Sequence, residues 1–349
     1  MRTRLLVATV AALSLLAACT RADRGDEAES AQDQGPAAEL RLGYLPNLTH
    51  APALVGLAKG LFEKELGDTR LVQQEFNAGP TEVAALLGGS LDIGFVGTGP
   101  AINAYAKSHG EAVRLISGVT SGGAQLVVRP DITKPADLAG KTVVAPQLGN
   151  TQDVALKKWL ADNDLTDRVD VANMENARTL SAFRNDDVQA AWLPEPWSSQ
   201  LVLDAGATVL LDEKELWPGG RFPTTVVIVR TQFLYEHPAT VRAFLRGLVA
   251  SIDYAGENEA DARTAVNARL AALTGKALAP EVIERAWSNS TLTFDPIAGE
   301  FSRLARDQVT AGIVERAPEV AGFADLTELN AVLKQAGRPA VDAGGLAEK

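Results

Sequence analysis

The sequence predicts an α/β fold in two lobes, and three observations predict it. Short apolar strands alternate with amphipathic helices from Glu39 to Arg184, the chain makes two crossings, near Gln125 and Thr225, and helices dominate from Pro238 to Arg338. Alternating β and α elements build open sheets with a parallel core. Two crossings divide those sheets between halves that share a cleft. About 310 residues lie beyond the N-terminal segments described below, more than one hydrophobic core usually organises. An apolar fraction of 46% supplies two cores.

The elements follow in order. Leu40–Leu45 alternates as a strand, Pro46-Asn47 ends it, and Thr49–Leu61 carries Leu54, Leu57, Ala58 and Leu61 on one helical face. Arg70–Phe76 is the next strand, and Thr81 is the expected N-cap of a helix to Gly89. Leu91–Val96 leads through Gly97-Thr98-Gly99-Pro100 into a helix over Ala101–Ser108. Arg114–Val119 and Ala124–Arg129 are strands separated by the turn Thr120–Gly123. A second set runs through the strand Thr142–Ala145, the helix Thr151–Asn163, the strand Val169–Ala172, the helix Ala177–Arg184 and the strand Val188–Trp192. Thr224–Arg230 carries the chain back. Helices are then expected over Val241–Tyr254, Glu259–Leu273, Glu281–Ser288, Ile297–Ala311 and Leu326–Ala336. The expected division is residues 39–125 and 224–349 for one lobe with the C-terminal helices, and 126–223 for the other.

The N-terminus reads differently. Arg2 and Arg4 precede an apolar run over Leu5–Ala18, and Leu16-Ala17-Ala18 leads to Cys19, the only cysteine. A basic flank, a short apolar segment and small residues before the cut make residues 1–18 a lipoprotein signal peptide with lipidation expected at Cys19. Fourteen apolar residues rise about 21 Å as a helix, short of the roughly 30 Å hydrocarbon core, so attachment to the membrane rests on acyl chains. Residues 19–38 are polar and charged and form a flexible linker. An exported protein anchored at the outer face of the cell membrane is expected.

Charge and composition exclude several classes. The net charge is −11, two units more negative without Arg2 and Arg4, so nucleic acid is not an expected partner. None of His50, His109 and His237 belongs to a two-His helical motif, so no metal is expected. Ser121 lacks the spacing of a nucleophile elbow, and Gly97-Thr98-Gly99 lacks the rest of a phosphate loop. No catalytic residue and no cofactor are expected. What remains is binding at strand-to-helix turns, whose free N–H groups and helix dipoles attract anions. Asn47–His50, Gly97–Pro100 and Gly149–Gln152 are the best such turns, each equally readable as simple capping. Trp192 and Trp197, around Pro194-Glu195-Pro196, are expected either to cover the apolar part of a ligand or to pack the core.

Six stretches carry a resemblance: 43–52, 76–80, 99–103, 120–125, 146–153 and 192–197, the last reading Trp192-Leu193-Pro194-Glu195-Pro196-Trp197. Together they resemble the substrate-binding proteins of ABC importers in the aliphatic sulfonate, taurine and nitrate group, from about Glu39 to about Ala311. The resemblance implies a type II periplasmic-binding-protein fold: two open mixed sheets flanked by helices, two crossing strands as hinge, and closure on one small anionic solute. It implies a permease and its ATPase as partners; the protein is expected to be a monomer. Carried onto this chain, the ligand-binding residues are Asn47, Thr49 and His50; Thr98 and Gly99; Ser121, Gly122 and Gly123; Asn150, Thr151 and Gln152; and Trp192 with Glu195. Glu195 would repel a sulfonate, and is expected to receive an amine such as that of taurine or to hold the hinge. The turn Pro46–His50 resembles the subgroup labelled for aliphatic sulfonates. Neutral donors suit a weakly hydrated sulfonate better than a doubly charged phosphate. Alternatives of the same fold are a nitrate or thiamine-precursor binder, a receptor feeding a signalling kinase, and a thiamine-pyrimidine synthase, whose cysteine-rich motif this chain lacks.

Overall fold

Two mixed β-sheets, each covered by helices on its faces, organise residues 32–347, which are those that the computed structural model describes. The signal-peptide and Cys19 expectations lie outside them. The chain opens with β1 (Glu39–Tyr44), α1 (Ala51–Ala58), α2 (Leu61–Leu66), β2 (Arg70–Glu75), α3 (Gly79–Leu87), β3 (Ile93–Gly97), α4 (Thr98–Lys107) and β4 (Val113–Gly122). It continues with β5 (Ala124–Val128), β6 (Thr142–Ala145), α5 (Thr151–Asp162), β7 (Asp170–Asn173), α6 (Asn176–Arg184), β8 (Ala190–Pro194), α7 (Trp197–Ala205) and β9 (Thr208–Asp212). Then follow β10 (Pro223–Arg230), α8 (Thr231–Glu236), α9 (Pro238–Glu257), α10 (Glu259–Thr274), α11 (Pro280–Ser288), β11 (Ser290–Leu292), α12 (Phe301–Thr310) and α13 (Thr327–Gln335).

The first sheet has the order β11-β4-β10-β3-β1-β2 and the second β7-β6-β8-β5-β9. In each, the βα-connected strands pair in parallel (β1 with β2 and β3; β6 with β7 and β8), while the crossing strands β4, β5 and β10 pair antiparallel to their neighbours. The sheets are therefore mixed, as the resemblance implies, and less parallel than alternation alone argues. One large apolar cluster fills the space around the first sheet, including Phe62, Phe95 and Phe244, whose rings stack or meet edge-on. The second sheet carries a cluster on each face, one built on Trp159 and Trp192 and the other on Phe183 and Trp197.

The crossings set the geometry of everything else. Between β4 and β5 the chain passes through Gly122 and Gly123 at φ of 72° and 74°, a left-handed conformation that a side chain strains. A Cβ on Gly123 would lie 2.5 Å from Ser290 Oγ, so the site also lacks room. The return runs from β9 through residues 213–222 into β10.

Several boundaries differ from the sequence reading. The helix expected over Thr49–Leu61 is a 3-10 turn followed by α1 and α2, broken at Gly60, which sits at φ 64°. Helix α3 begins at Gly79 with Ala78 as N-cap, because Pro80 suits a first turn; Thr81 lies inside it and caps nothing. Strand β4 continues to Gly122, so Ser121 is paired in a strand rather than placed in a turn. Elements α7, β9, α8 and β11 were not expected. Ile297 stands at φ 52°, so α12 starts only at Phe301.

Candidate functional site

Five helix starts converge where the two sheets face each other. His50, Ala78, Gly97, Asn150 and Glu175 are the N-caps of α1, α3, α4, α5 and α6, and none of these helices is capped by its N-cap side chain. A cavity of about 30 Å³ lies among them. From the first-sheet side it is lined by Asn47, Thr49, His50, Asn77, Gly97, Thr224 and Thr225, and from the second by Pro146, Asn150, Thr151, Gln152, Asn176 and Pro194. It widens outward into a groove of about 480 Å³ that shares Asn77, Pro146, Asn150 and Asn176 and carries Glu75 and Glu175 at its rim.

The inner cavity is polar and uncharged. Among the described residues no Lys, Arg, Asp or Glu lines it. Burial lowers the His50 imidazole to about 3, so it is neutral. Its Nδ1 accepts from Leu45 N–H at 3.3 Å, which assigns the proton to Nε2 as a donor. Asn176 Oδ1 is buried without a hydrogen-bond partner, while the Gln152 amide lies against the Glu213 carboxyl. Lining hydroxyls, the His50 Nε2–H and helix N-termini, with no fixed cation, are chemistry that can receive a small, singly charged anion.

The two halves touch directly beside the cavity. Gly99 N–H donates to Thr151 Oγ1 at 3.1 Å, so the start of α4 is tied to the start of α5. A Cβ on Gly97 would lie 2.4 Å from Thr151 Oγ1, and one on Gly99 only 3.1 Å from Thr151 N. Trp197 Nε1 donates to Asn47 Oδ1 at 2.7 Å, and Leu48 N–H donates to the Glu195 carbonyl at 3.0 Å.

The structure therefore brings Asn47, Thr49, His50, Asn150, Thr151 and Gln152 together around one cavity. It does not bring the others there. Thr98 is fully buried with its hydroxyl unpartnered, one residue beyond the lining Gly97. Gly99 faces the contact with Thr151 instead. Ser121, Gly122 and Gly123 build the crossing: Gly122 O accepts from Thr224 Oγ1, and Gly123 N–H donates to Asn289 O at 2.9 Å. Trp192 is 0% exposed, edge-on to Trp159 and bonded through Nε1 to Glu213 Oε2 at 3.0 Å, so the core reading holds for it. Glu195 is also 0% exposed. Its carboxylate accepts from Ser199 N–H at 3.1 Å and Asn289 Nδ2 at 2.7 Å, with Arg285 Nη1 at 3.5 Å, and this holds the junction rather than meeting a solute.

Sequence reasoning missed Leu45, Asn77, Pro146, Asn176, Pro194, Thr224 and Thr225 as lining residues, and held Gly97 only as part of the turn Gly97–Pro100. Asn77 stands in a strand-to-helix turn of the same kind as Asn47, and Asn176 opens the helix after another such turn, and those positions were the available signal. Among the described residues there is no cluster of three His, Cys, Asp or Glu side chains suited to a metal, and no helix long and apolar enough to cross a membrane.

The sequence profile of the NMT1-like family matches residues 33–271. The chain is 29% identical over 201 residues to the taurine-binding periplasmic protein of Escherichia coli K12, covering 57% of this chain and 61% of that protein's length. It is 28% identical over 247 residues to a putative aliphatic sulfonates-binding protein of Bacillus subtilis 168, covering 69% and 70%. Its fold is similar to that of the alkanesulfonate-binding protein SsuA from Xanthomonas axonopodis pv. citri bound to MOPS, with a TM-score of 0.68 and 21% identity over 81% of this chain and 96% of that one.

Proposed function

The chain belongs to the NMT1-like family, and from that premise we propose that it is the solute-binding component of an ABC importer, capturing a small anion between its two sheets. The favoured solute is an aliphatic sulfonate or taurine, delivered to a permease driven by an ATPase. The single observation that carries this reading is the convergence of five helix starts, uncapped by their N-cap side chains, on a cavity without a charged lining residue. Backbone donors in a buried site hold a permanently charged, weakly hydrated head, whereas a dianion would call for cations. The taurine- and sulfonate-binding relatives support the same class. The proposal includes residence outside the cytoplasm, with Cys19 as lipid anchor, and no catalytic turnover.

In this reading Asn47, Thr49, His50, Asn77, Asn150, Thr151, Gln152 and Asn176 are the ligand-binding residues. The anionic head lies in the inner cavity and any tail points into the outer groove. A second reading, an inorganic anion such as nitrate, is favoured by the small inner volume alone. Isothermal titration with taurine, ethanesulfonate and nitrate separates them. One-to-one binding of a sulfonate, tighter than nitrate, is expected. Nitrate binding with silent sulfonates would replace the first reading by the second, and silence from all three would remove both.

A further inference from the structure

A second cavity, of about 60 Å³, lies on the far side of the Gly99–Thr151 contact. Helix α5 contributes Trp159, the segment returning to the first sheet contributes Glu213, Trp217 and Phe222, and α12 contributes Leu304 and Gln308. Trp159 belongs to the apolar cluster of the second sheet, while Trp217, Phe222 and Leu304 belong to that of the first. The cavity is thus walled by both halves.

Three of its lining side chains each keep a polar atom with no hydrogen-bond partner: Glu213 Oε1, Trp217 Nε1 and Gln308 Oε1. These residues are 0%, 8% and 0% exposed. Native interiors seldom leave such atoms unmade, and three around one void are a signal that something else completes them. Their chemistry is specific. Glu213 Oε2 already accepts from Trp192 Nε1, and burial pushes this carboxyl up to about 8 against the hydrogen bonds from Trp192 and Gln152 that lower it, so the acid form is favoured at neutral pH and leaves Oε1 able to donate. Trp217 Nε1 is a second donor. Gln308 Nε2 is engaged with the Gly99 carbonyl at 3.1 Å, which leaves Oε1 as an acceptor. The charges at the rim occur in opposite pairs, Lys158 with Asp162 and Arg303 with Asp307, so the void favours neither sign. A hydroxyl accepts from two donors and donates to one acceptor, the complement of this set. The volume takes on the order of five water-sized atoms beside the aromatic walls.

We propose that this cavity is a second binding site, distinct from the cleft, for a short uncharged aliphatic alcohol. Because both halves wall it, an occupant favours the arrangement in which they meet. The test uses propan-1-ol, followed through the indole N–H resonance of Trp217 and by calorimetry, with 1-chloropropane as the analogue of similar size that lacks the hydroxyl. Saturable one-to-one binding of propan-1-ol, tighter than 1-chloropropane, is expected. Trp217→Phe and Gln308→Leu should each weaken propan-1-ol by about tenfold, the loss of one hydrogen bond to a buried group. A response to propan-1-ol that never saturates, or equal affinity for propan-1-ol and 1-chloropropane in the unaltered protein, overturns the site. So does wild-type affinity in both variants.

Discussion

Trp197 Nε1 donates to Asn47 Oδ1 at 2.7 Å, so the first residue of α7 grips the turn that follows β1. The two residues are 150 positions apart in sequence, and the bond joins the side of the second sheet to that of the first. Both side chains are more than nine-tenths buried. Trp197→Phe keeps one aromatic ring but removes the pyrrole ring and leaves Asn47 Oδ1 unpaired, so it should cost about 1–3 kcal/mol for the unpaired oxygen with the loss of buried ring volume in addition. Urea unfolding measures it, and an unchanged midpoint would show that neither the bond nor the packing of the pyrrole ring adds stability.

Gly97 and Gly99 are small because α5 begins against them. Gly97→Ala forces Thr151 to move and breaks its bond from Gly99 N–H. Solution scattering should show a larger radius of gyration in the presence of ligand than for the unaltered protein, and calorimetry a weaker affinity. Equal values in both would mean that the halves do not need this contact.

Thr151→Val keeps the shape and removes the acceptor of Gly99 N–H, a loss of about 1–3 kcal/mol when the amide stays buried. Thr98→Val is the informative control. Its hydroxyl is buried without a partner and lies off the cavity, so the apolar isostere should leave anion affinity unchanged and hold or raise stability. A fall in affinity for Thr98→Val alone would move the solute away from the Asn150 end of the cleft.

Two buried carboxyls set the pH response. Glu82 packs over Gly43 and Gly94 with both oxygens unpartnered, and burial raises it well above 4.5; Glu213 rises to about 8, also by burial. The folded state holds protons that the unfolded chain releases, so their contribution to stability is full below about 4.5 and is lost as pH rises toward the folded values. His50 has the opposite sign, its contribution being lost as pH falls from 6.5 toward about 3. Between pH 7 and 8 Glu213, whose folded value is about 8, is the group of these three with a value that places its titration there. Stability should drop there by on the order of 1 kcal/mol per pH unit while Glu213 stays protonated. Glu213→Gln should flatten the profile between pH 7 and 8. Parallel profiles for the two proteins would contradict this.

Much of the fold was legible because hydrophobic period and turn residues act locally. Strand β1, helix α5 and strand β10 fall within a residue or two of where their patterns put them. The Trp197–Asp212 stretch was not legible: α7 starts just after Pro196, and β9 pairs only with the distant β5. The cleft shows the same division. Asn47 and Asn150 could be found because each stands in a polar turn after a strand. Thr224 and Thr225 could not, since they enter the cavity from inside β10, a position fixed by pairing with β3 and β4. Trp192 and Glu195 share a motif with Trp197, yet alternate pointing along β8 and the turn after it sends them into the core and the junction.

The most direct test of anion capture by neutral donors is the affinity of Asn150→Asp for ethanesulfonate. The substitution is nearly isosteric, places a carboxylate at an N-cap where helices favour one, and adds a like charge to the inner cavity. The account predicts an unfolding midpoint equal to or above that of the unaltered protein, with affinity reduced by about 100-fold, a repulsion of roughly 2.7 kcal/mol at close range. Unchanged affinity in a folded Asn150→Asp protein would contradict it.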